Sequence, residues 1–257
     1  LSRPLPEDTR SARVTLDRSG RWHVSFAAVP DEVSGPGTGE IVGVDRGVAI
    51  DYQASDGRRW NVAGLNLHEK RRLRLLQRRL ARQQRGSNRR ARTKLAIAKL
   101  KAREADRRKD AIEKATTELA RTADIVRIED LRVLSMTRSA KGTIDKPGRR
   151  VAQKRGLNRS IAETGWTMFA TRLGDKIGDR LERVPAAFTS QRCSRCGHTA
   201  LGNRESQAVF RCRACGHAAN ADVNAAMNIA AGQAVRGRGG AGAVGPPVEA
   251  STFERVG

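Results

Sequence analysis

The sequence predicts a mixed α/β protein whose sheet-containing core is interrupted by a basic helical hairpin and by a small cysteine-rich module. Three observations predict this class. Short apolar stretches with strand-like patterns lie within residues 40–64 and 123–134, a long helical periodicity separates them, and two Cys-x-x-Cys pairs follow, 15 residues apart. At 257 residues the chain can form one large domain and a small module.

The first predicted elements are strands. Residues 12–29 alternate apolar and polar side chains on either side of a turn at residues 18–21, which predicts a β-hairpin, followed by a linker over residues 31–40. Residues 40–64 contain an apolar strand, a Gly-Val-Asp-Arg-Gly-Val centre and a returning strand, which predict the start of a second sheet. Residues 123–134 predict a further short strand that ends on Glu-Asp.

Helical periodicity follows from Leu67 to about Ala123, with a break at residues 86–88. It predicts an antiparallel helical hairpin. The apolar seam is expected to consist of Leu73, Leu76 and Leu80 on one arm and of Leu95, Ala98, Ala102, Ala105, Ile112 and Leu119 on the other. Residues 135–160 predict a mobile basic loop. Residues 158–181 predict a helix with Ile161, Trp166, Phe169 and Leu173 on its buried side. The Gly- and Pro-rich residues 237–257 predict a disordered tail.

The charge of the chain favours a polyanionic partner. Lys and Arg total 50 against 27 Asp and Glu, a net charge of +23. Residues 66–114 alone contain 19 basic and five acidic residues, and residues 135–160 contain eight and one. We expect nucleic-acid phosphates to contact these segments rather than only water, and the candidates named for this role are Arg78, Arg82, Lys94, Arg149 and Arg150.

Membrane and secreted classes are disfavoured. The sequence has no apolar run near the roughly 20 residues of a spanning helix and no signal-peptide pattern. Aromatic residues make up only 4% of the chain, so it lacks the dense aromatic surfaces of proteins that bind single strands. A cytoplasmic, nucleoid-associated protein is expected.

The four cysteines predict a zinc site. Cys193 and Cys196 form one pair, Cys212 and Cys215 the other, and each pair is followed by Gly-His. Two such pairs can place four thiolates tetrahedrally around one Zn²⁺. The alternatives are two disulfides or a redox dithiol, which a cytosolic protein with no other cysteine makes less favourable. A site closed by four cysteines is structural, so Zn²⁺ is expected to hold shape rather than to catalyse.

Three acidic residues lie at the ends of apolar elements: Asp45 and Glu129 each end a predicted strand, and Asp222 begins a predicted helix capped by Asn220. Each alone is ordinary, because acids are common at strand ends and helix N-termini. Gathered in one site, two carboxylates about 4 Å apart would repel by roughly 4 kcal/mol at an effective dielectric constant near 20, so the cluster would need a cation such as Mg²⁺. Periodicity alone does not bring the three together.

Four stretches carry a family resemblance: GVDRGV, IVRIEDL, FTSQRCSRCGH and FRCRACGHAANADVNAAMNI, in this order. They resemble the RuvC-type nuclease region of the TnpB proteins, which are transposon-associated, RNA-guided DNA endonucleases related to the type V CRISPR effectors. The resemblance covers residues 12–231. It implies an RNase H-like (RuvC) nuclease domain with an inserted basic helical hairpin and an inserted zinc ribbon.

The resemblance also implies roles. Asp45, Glu129 and Asp222 are the catalytic acids that bind Mg²⁺, and the four cysteines bind Zn²⁺. DNA is the substrate and a guide RNA from the transposon end is the partner. The implied domains are the end of an N-terminal wedge-like β-barrel with a linker (1–39), the nuclease core (40–182) with its hairpin (about 66–122), the ribbon (183–218), the last nuclease helix (219–236) and the tail (237–257).

Three other functions stay open at this point. An RNA-guided DNA-binding protein that blocks transcription without cutting would share the same features, as would a nuclease fragment without guided recognition, since family members carry a longer N-terminal part. A basic structural RNA-binding protein with a zinc ribbon would explain the charge and the cysteines but not the three acids. Cleavage directed by a guide RNA is the leading hypothesis.

Overall fold

The computed structural model describes residue 5 and residues 9–232, and the mixed α/β class is confirmed. The strands are β1 (Ser11–Leu16), β2 (Trp22–Ala27), β3 (Ile41–Asp45), β4 (Tyr52–Ala54), β5 (Arg59–Trp60), β6 (Ile125–Glu129), β7 (Leu181–Val184), β8 (Val209–Arg211) and β9 (Ala218–Asn220). The helices are α1 (Leu67–Arg82), α2 (Asn88–Thr122), α3 (Val133–Met136), α4 (Val151–Thr164), α5 (Trp166–Ile177) and α6 (Ala221–Ala230).

The central sheet has the order β5-β4-β3-β6-β7. β3, β4 and β5 pair antiparallel, whereas β6 pairs parallel with β3 on one side and with β7 on the other. The register places Val44 opposite Ile128 and Glu129 opposite Val184. The carboxyl ends of β3, β6 and β7 therefore meet at one edge of the sheet, the position where open α/β sheets hold their ligands.

Helices cover both faces of this sheet. On one face, α5 and the C-terminal half of α2 pack against Val42 and Val44, with Tyr52 and Phe169 stacked at 4.1 Å between ring centroids. Because side chains alternate along a strand, Gly43 points to the other face, where α6 packs. A Cβ atom on Gly43 would lie 2.3 Å from the Ala226 carbonyl oxygen, so this glycine allows the backbone of α6 to approach β3 closely.

The predicted β-hairpin and the second sheet are confirmed, and so is the helical hairpin, with its break before Asn88. Its predicted seam is only partly right. Ile112 and Leu119 are fully buried, but Leu95 and Ala105, on the half of α2 that is farther from the core cluster, are exposed. Thr93 and Leu100 are buried there instead.

Residues 135–160 differ from the predicted mobile loop. α3 occupies Val133–Met136, and α4 already begins at Val151. The helix expected over residues 158–181 is two helices, since Gly165 adopts a left-handed φ of 78° that ends α4 and begins α5. The buried side predicted for it is confirmed.

The predicted linker is bound to the core. The Val33 N–H donates to the Lys176 carbonyl at 2.7 Å, and the Asp124 carboxylate accepts the backbone N–H groups of Gly37 and Gly39. The predicted tail (237–257) lies outside the described residues, as do residues 233–236 of the last predicted helix; α6 itself ends at Ala230.

Candidate active site

Asp45 and Glu129 are neighbours at the shared edge of the sheet. Asp45 is the last residue of β3 and Glu129 the last residue of β6, and the pair Val44–Ile128 immediately precedes them. Parallel pairing with this register brings the two carboxylates to the same edge. The structure thus joins two residues that are 84 positions apart in the sequence.

Asp222 reaches the same edge from α6. The Asn220 side chain caps this helix by accepting the backbone N–H groups of Asp222 at 2.9 Å and Val223 at 3.2 Å, as the sequence predicted. Asp222 lies one helical turn before Ala226, which contacts Gly43 of β3. The close packing at Gly43 therefore sets how near Asp222 comes to Asp45.

The electrostatics of these groups show that they share one environment, the carboxylate edge (Asp45, Glu129 and Asp222). Burial, followed by the negative charges of Glu129 and Asp222, raises the pKa of Asp45 to about 7. Burial also raises the pKa of Glu129 and of Asp222. Carboxylate oxygens are the ligands that a hard cation such as Mg²⁺ prefers, so the chemistry of this group suits such an ion.

Arg204 is a residue that the sequence did not identify. It lies between the two cysteine pairs, and its guanidinium is 3.2 Å from the Asp222 carboxylate. Its charge lowers the pKa of all three acids against the effect of burial. No feature of the sequence separates Arg204 from the other arginines of the cysteine module, because its role depends on the fold of the module over α6.

Arg46 is a second cation at the edge, and it is 95% buried. Its guanidinium donates to the backbone carbonyl of Glu129, which ties the end of β3 to the end of β6. Its Nε atom has no hydrogen-bond partner in the part of the chain that the structure describes. Burial lowers the pKa of Arg46, while the Glu129 carboxylate opposes that change.

Buried hydrogen bonds connect the carboxylate edge to the cysteine module. The Thr189 hydroxyl donates to the Glu129 carboxylate, and Asn228 of α6 donates to the Thr189 carbonyl at 2.9 Å. Asn224 donates to the Arg192 carbonyl at 2.8 Å and accepts the Ser194 N–H at 3.0 Å. α6 therefore holds both the site acid Asp222 and the residues on either side of Cys193.

The cysteine cluster is confirmed as a group able to hold a metal such as zinc. The four Sγ atoms lie within 4.8 Å of one another, in the residues Cys193, Cys196, Cys212 and Cys215. The two turns have the same backbone pattern: the first cysteine N–H donates to the histidine carbonyl, and the glycine N–H donates to the first cysteine carbonyl. Gly197 and Gly216 have φ of 77° and 71°, which explains the glycine of each Cys-x-x-Cys-Gly motif.

The local backbone favours ionisation of one thiol of the cluster, that of Cys212. Although burial opposes it, the backbone N–H groups of Cys215 and Ala214 lower the pKa of Cys212 to about 6. A thiolate is the form that binds a metal ion. Zinc binding to the cluster would require all four thiols to lose their protons, because the thiolate is the ligand form.

The residues predicted to contact nucleic acid are not among those that contact the three acids. Arg78, Arg82, Lys94, Arg149 and Arg150 are all exposed. The first three belong to the hairpin tip, residues 70–103, which contains 15 Lys or Arg and no Asp or Glu. The five carboxylates of residues 66–114 all lie outside the tip, and each is ion-paired.

A groove between the two arms of the hairpin tip is lined by four of its basic side chains. Its volume is about 310 Å³, and it is lined by Arg72, Arg92, Lys99 and Arg103 around Leu95, Ala96 and Leu100. Cations around an apolar floor suit the phosphates and sugars of a nucleic-acid strand. Within residues 9–232, the structure has no helix both long and apolar enough to cross a bilayer.

Two family models match separate parts of the chain. The family model OrfB_IS605, described as a probable transposase, matches residues 24–140, and the Cas12f1-like TNB domain matches residues 166–229. The protein "Putative RNA-guided DNA endonuclease InsQ" of Escherichia coli (strain K12) is 41% identical over 95% of this chain and 62% of its own length.

Other relatives cover less of their own length. A "Putative RNA-guided DNA endonuclease" of Streptomyces pristinaespiralis is 32% identical over 90% of this chain and 55% of that protein. The solved Cas12f1-sgRNA-target DNA complex aligns with 82% of this chain and 54% of that one, with a TM-score of 0.44 and 22% identity. The chain thus spans a little over half the length of these relatives.

Proposed function

Because the chain belongs to the TnpB family of transposon-associated proteins, we propose that it is an RNA-guided, Mg²⁺-dependent DNA endonuclease. The single observation that carries the proposal is the meeting of Asp45, Glu129 and Asp222 at one edge of the sheet. A basic structural RNA-binding protein has no use for three buried acids with raised pKa values. A phosphodiester nuclease needs such a cluster to bind divalent ions.

The strand order supports an RNase H-like core, for which the sequence predicted residues 40–182 and 219–236, the latter described as far as residue 232. The hairpin of about 66–122 is inserted between β5 and β6. The predicted ribbon of 183–218 shifts to residues 185–220, between β7 and α6, because β7 runs to Val184 and β9 to Asn220. Both insertions leave the sheet intact and place functional groups beside it. Residues 1–39 are assigned to the end of a wedge-like barrel.

Asp45, Glu129 and Asp222 are the residues that would hold Mg²⁺. A pair of Mg²⁺ ions held there would supply Lewis-acid chemistry, namely activation of a water and stabilisation of the departing oxygen. Thr189 fixes the orientation of Glu129 by its hydroxyl hydrogen bond, and Arg46 fixes the distance between the ends of β3 and β6. These contacts pre-organise the acids, so little reorganisation is needed when ions and strand arrive.

Arg204 has a different task. Its guanidinium rests on the Asp222 carboxylate, where it partly neutralises the carboxylate edge. From this position the guanidinium would also offer N–H donors to a phosphate oxygen of a bound strand, a geometry that arginine favours. Arg204 is therefore assigned two roles: it offsets the negative charge of the carboxylate edge, and it would supply positive charge beside the phosphate.

Guide RNA and DNA are the proposed partners. The hairpin tip and the basic segment around Arg149 and Arg150 supply exposed positive charge for their backbones. Sequence specificity would come from base pairing with the guide rather than from the protein. The structural Zn²⁺ in the cysteine cluster would hold the ribbon, and with it Arg204, over α6.

The second candidate is an RNA-guided DNA-binding protein that does not cut. To separate the two, labelled DNA is incubated with Mg²⁺ and with the protein co-expressed with RNA from its own transposon end. Wild type is compared with Asp45→Ala, Glu129→Ala and the matched control Asp130→Ala, which removes an exposed acid next to Glu129. Equal binding, with cutting lost only in the first two variants, supports the nuclease. Binding of DNA that stays intact with every protein supports the second candidate.

A further inference from the structure

Phe188 is an exposed aromatic residue held in an unusual backbone conformation. Its φ is +64°, and in the described part of the chain only Arg150 is another non-glycine residue with positive φ. A bulky L-residue rarely adopts this region, because its Cβ atom crowds the backbone. Yet the side chain is 47% exposed, so burial of the ring does not explain why the residue is there.

The loop that carries Phe188 is fixed rather than loose. It follows β7, whose last residue Val184 pairs with Glu129 at the carboxylate edge. The Phe188 carbonyl accepts the backbone N–H groups of Gln191 at 2.9 Å and Arg192 at 3.0 Å. The next residue, Thr189, is 97% buried and donates to the Glu129 carboxylate. The ring is therefore attached one residue away from a group that binds a site acid.

Comparison with the other aromatic residues shows that Phe188 is not part of the hydrophobic core. Tyr52, Phe169 and Phe210 are fully buried and Trp166 nearly so, while Phe188 belongs to neither hydrophobic cluster. The exposed Trp22 and Phe26 lie on β2, in the two-stranded β1–β2 sheet rather than in the central sheet. Among the described residues, Phe188 is thus the exposed aromatic side chain whose loop is hydrogen-bonded to one of the three acids.

We propose that Phe188 binds the nucleic-acid strand in the active site by stacking its ring on one unpaired nucleobase. This inference rests on the proposed nuclease function. A phosphate placed over the carboxylate edge is flanked by its own bases, and a ring on a rigid loop at that edge can hold one of them. Stacking tolerates any base, since every base has a π-face, and it suits an enzyme that takes its sequence from a guide.

The test measures stacking and affinity separately. A fluorescein-labelled single-stranded DNA carrying 2-aminopurine at successive positions is titrated with the full chain, with Ca²⁺ in place of Mg²⁺ so that no cutting occurs. In wild type, 2-aminopurine fluorescence is quenched at one or two positions. Phe188→Ala loses this quenching and binds about tenfold more weakly, as expected for one base–aromatic stack. Phe188→Trp retains both.

Two control variants separate the ring from the fold. Phe188→Gly removes the ring but suits the positive φ, so it melts no lower than wild type while it loses the quenching. Leu201→Ala removes another exposed apolar side chain of the cysteine module, 83% exposed, and changes neither signal. Quenching that survives in Phe188→Ala and Phe188→Gly, or that disappears in Trp22→Ala instead, overturns the inference, and so does the absence of quenching in wild type.

A cleavage assay on the same proteins keeps this inference separate from the proposed function. If wild type shows quenching that depends on Phe188 but never cuts DNA, the nuclease proposal fails and the stacking site stands. If wild type cuts, Asp45→Ala does not, and Phe188→Ala binds and cuts like wild type, the stacking site alone fails.

Discussion

Two strongly charged regions of opposite sign, the carboxylate edge and the hairpin tip, are built in opposite ways. Each carboxylate is buried or partly buried, and the three are positioned by two strands, a helix and the cysteine module. The tip is mostly exposed, has no acid over 34 residues, and consists of two helical arms that pack against each other. Buried carboxylates must be positioned by several packed elements, whereas exposed cations need only a helix that presents them to solvent.

The base of the same hairpin shows where the change occurs. In the part of α2 from Glu104 onward, every carboxylate is ion-paired, some within the helix and some with other elements, as Glu113 is with Arg172 and Lys176. Among the described residues, the tip has carboxylate partners only at its inner end, where Lys101 and Arg103 lie near Glu104 and Glu69. The remaining positive charge of the tip is thus left for a partner.

The largest expected effect comes from removing zinc. A structural zinc ion contributes on the order of 10 kcal/mol to the folding of a small module. Zinc removal should therefore unfold residues 185–220, release Arg204 and Thr189 from the carboxylate edge and abolish DNA cutting. Salt-dependent binding of nucleic acid by the hairpin tip should persist.

The measurement treats the protein with a strong chelator, dialyses it, restores Mg²⁺ alone and compares cutting with binding. Cutting at the wild-type rate in a sample shown by elemental analysis to be free of zinc would contradict the link between cluster and edge. Loss of both cutting and binding would show that the tip also depends on the ribbon.

The next effect is a pH dependence of stability in metal-free protein. Folding raises the pKa of Asp45 from 3.8 to about 7, so the folded state binds this proton more tightly than the unfolded state. The stabilisation is fully present below about pH 4 and is lost as the pH rises to about 7. The free energy of unfolding should fall across this range by on the order of 2–4 kcal/mol from this group.

Urea titrations at pH 4.5, 6 and 7.5 in Mg²⁺-free buffer without chelator, on protein that carries one equivalent of zinc and no excess, measure this slope. The difference between wild type and Asp45→Asn isolates the one carboxyl from the other acids. Mg²⁺ should reduce the difference because it neutralises the ionised group. Identical slopes in the two proteins would show that Asp45 titrates normally.

A smaller effect is expected from Gly43→Ala. The added Cβ would lie 2.3 Å from backbone atoms of Ala226 and Ala230, so α6 must shift away from β3. Overpacking of this kind costs about 1–3 kcal/mol. Because Asp222 moves with α6, cutting should fall by more than the loss of folded protein explains.

Thermal melting and cutting below the melting temperature test this. The control is Gly64→Ala, where a Cβ meets nothing within 4 Å. Full activity of Gly43→Ala would show that the position of α6 does not control the carboxylate edge.

The same contrast explains what the sequence could predict. The charge of the tip, the two cysteine pairs and the cap at Asn220 depend on residues close in the chain, and the structure places them as expected. The convergence of the three acids depends on strand order and on the register between β3 and β6, which local patterns do not contain; it came from the resemblance. Arg204 and Thr189 were missed because their partners are fixed only by the packing of the ribbon on α6.

The smallest effect on stability, and a specific effect on binding, is expected at the hairpin tip. Arg78, Arg82 and Lys94 are exposed and can be changed together to Gln, with a stability change within about 0.5 kcal/mol. If all three contact duplex phosphates, the slope of log affinity against log salt should become shallower by about 0.9 for each contact. A triple variant at Lys109, Lys114 and Arg121, near the base of α2, keeps the net charge equal and should leave more of the slope intact. Equal slopes for the two triple variants would mean that net charge, and not the acid-free tip, governs binding.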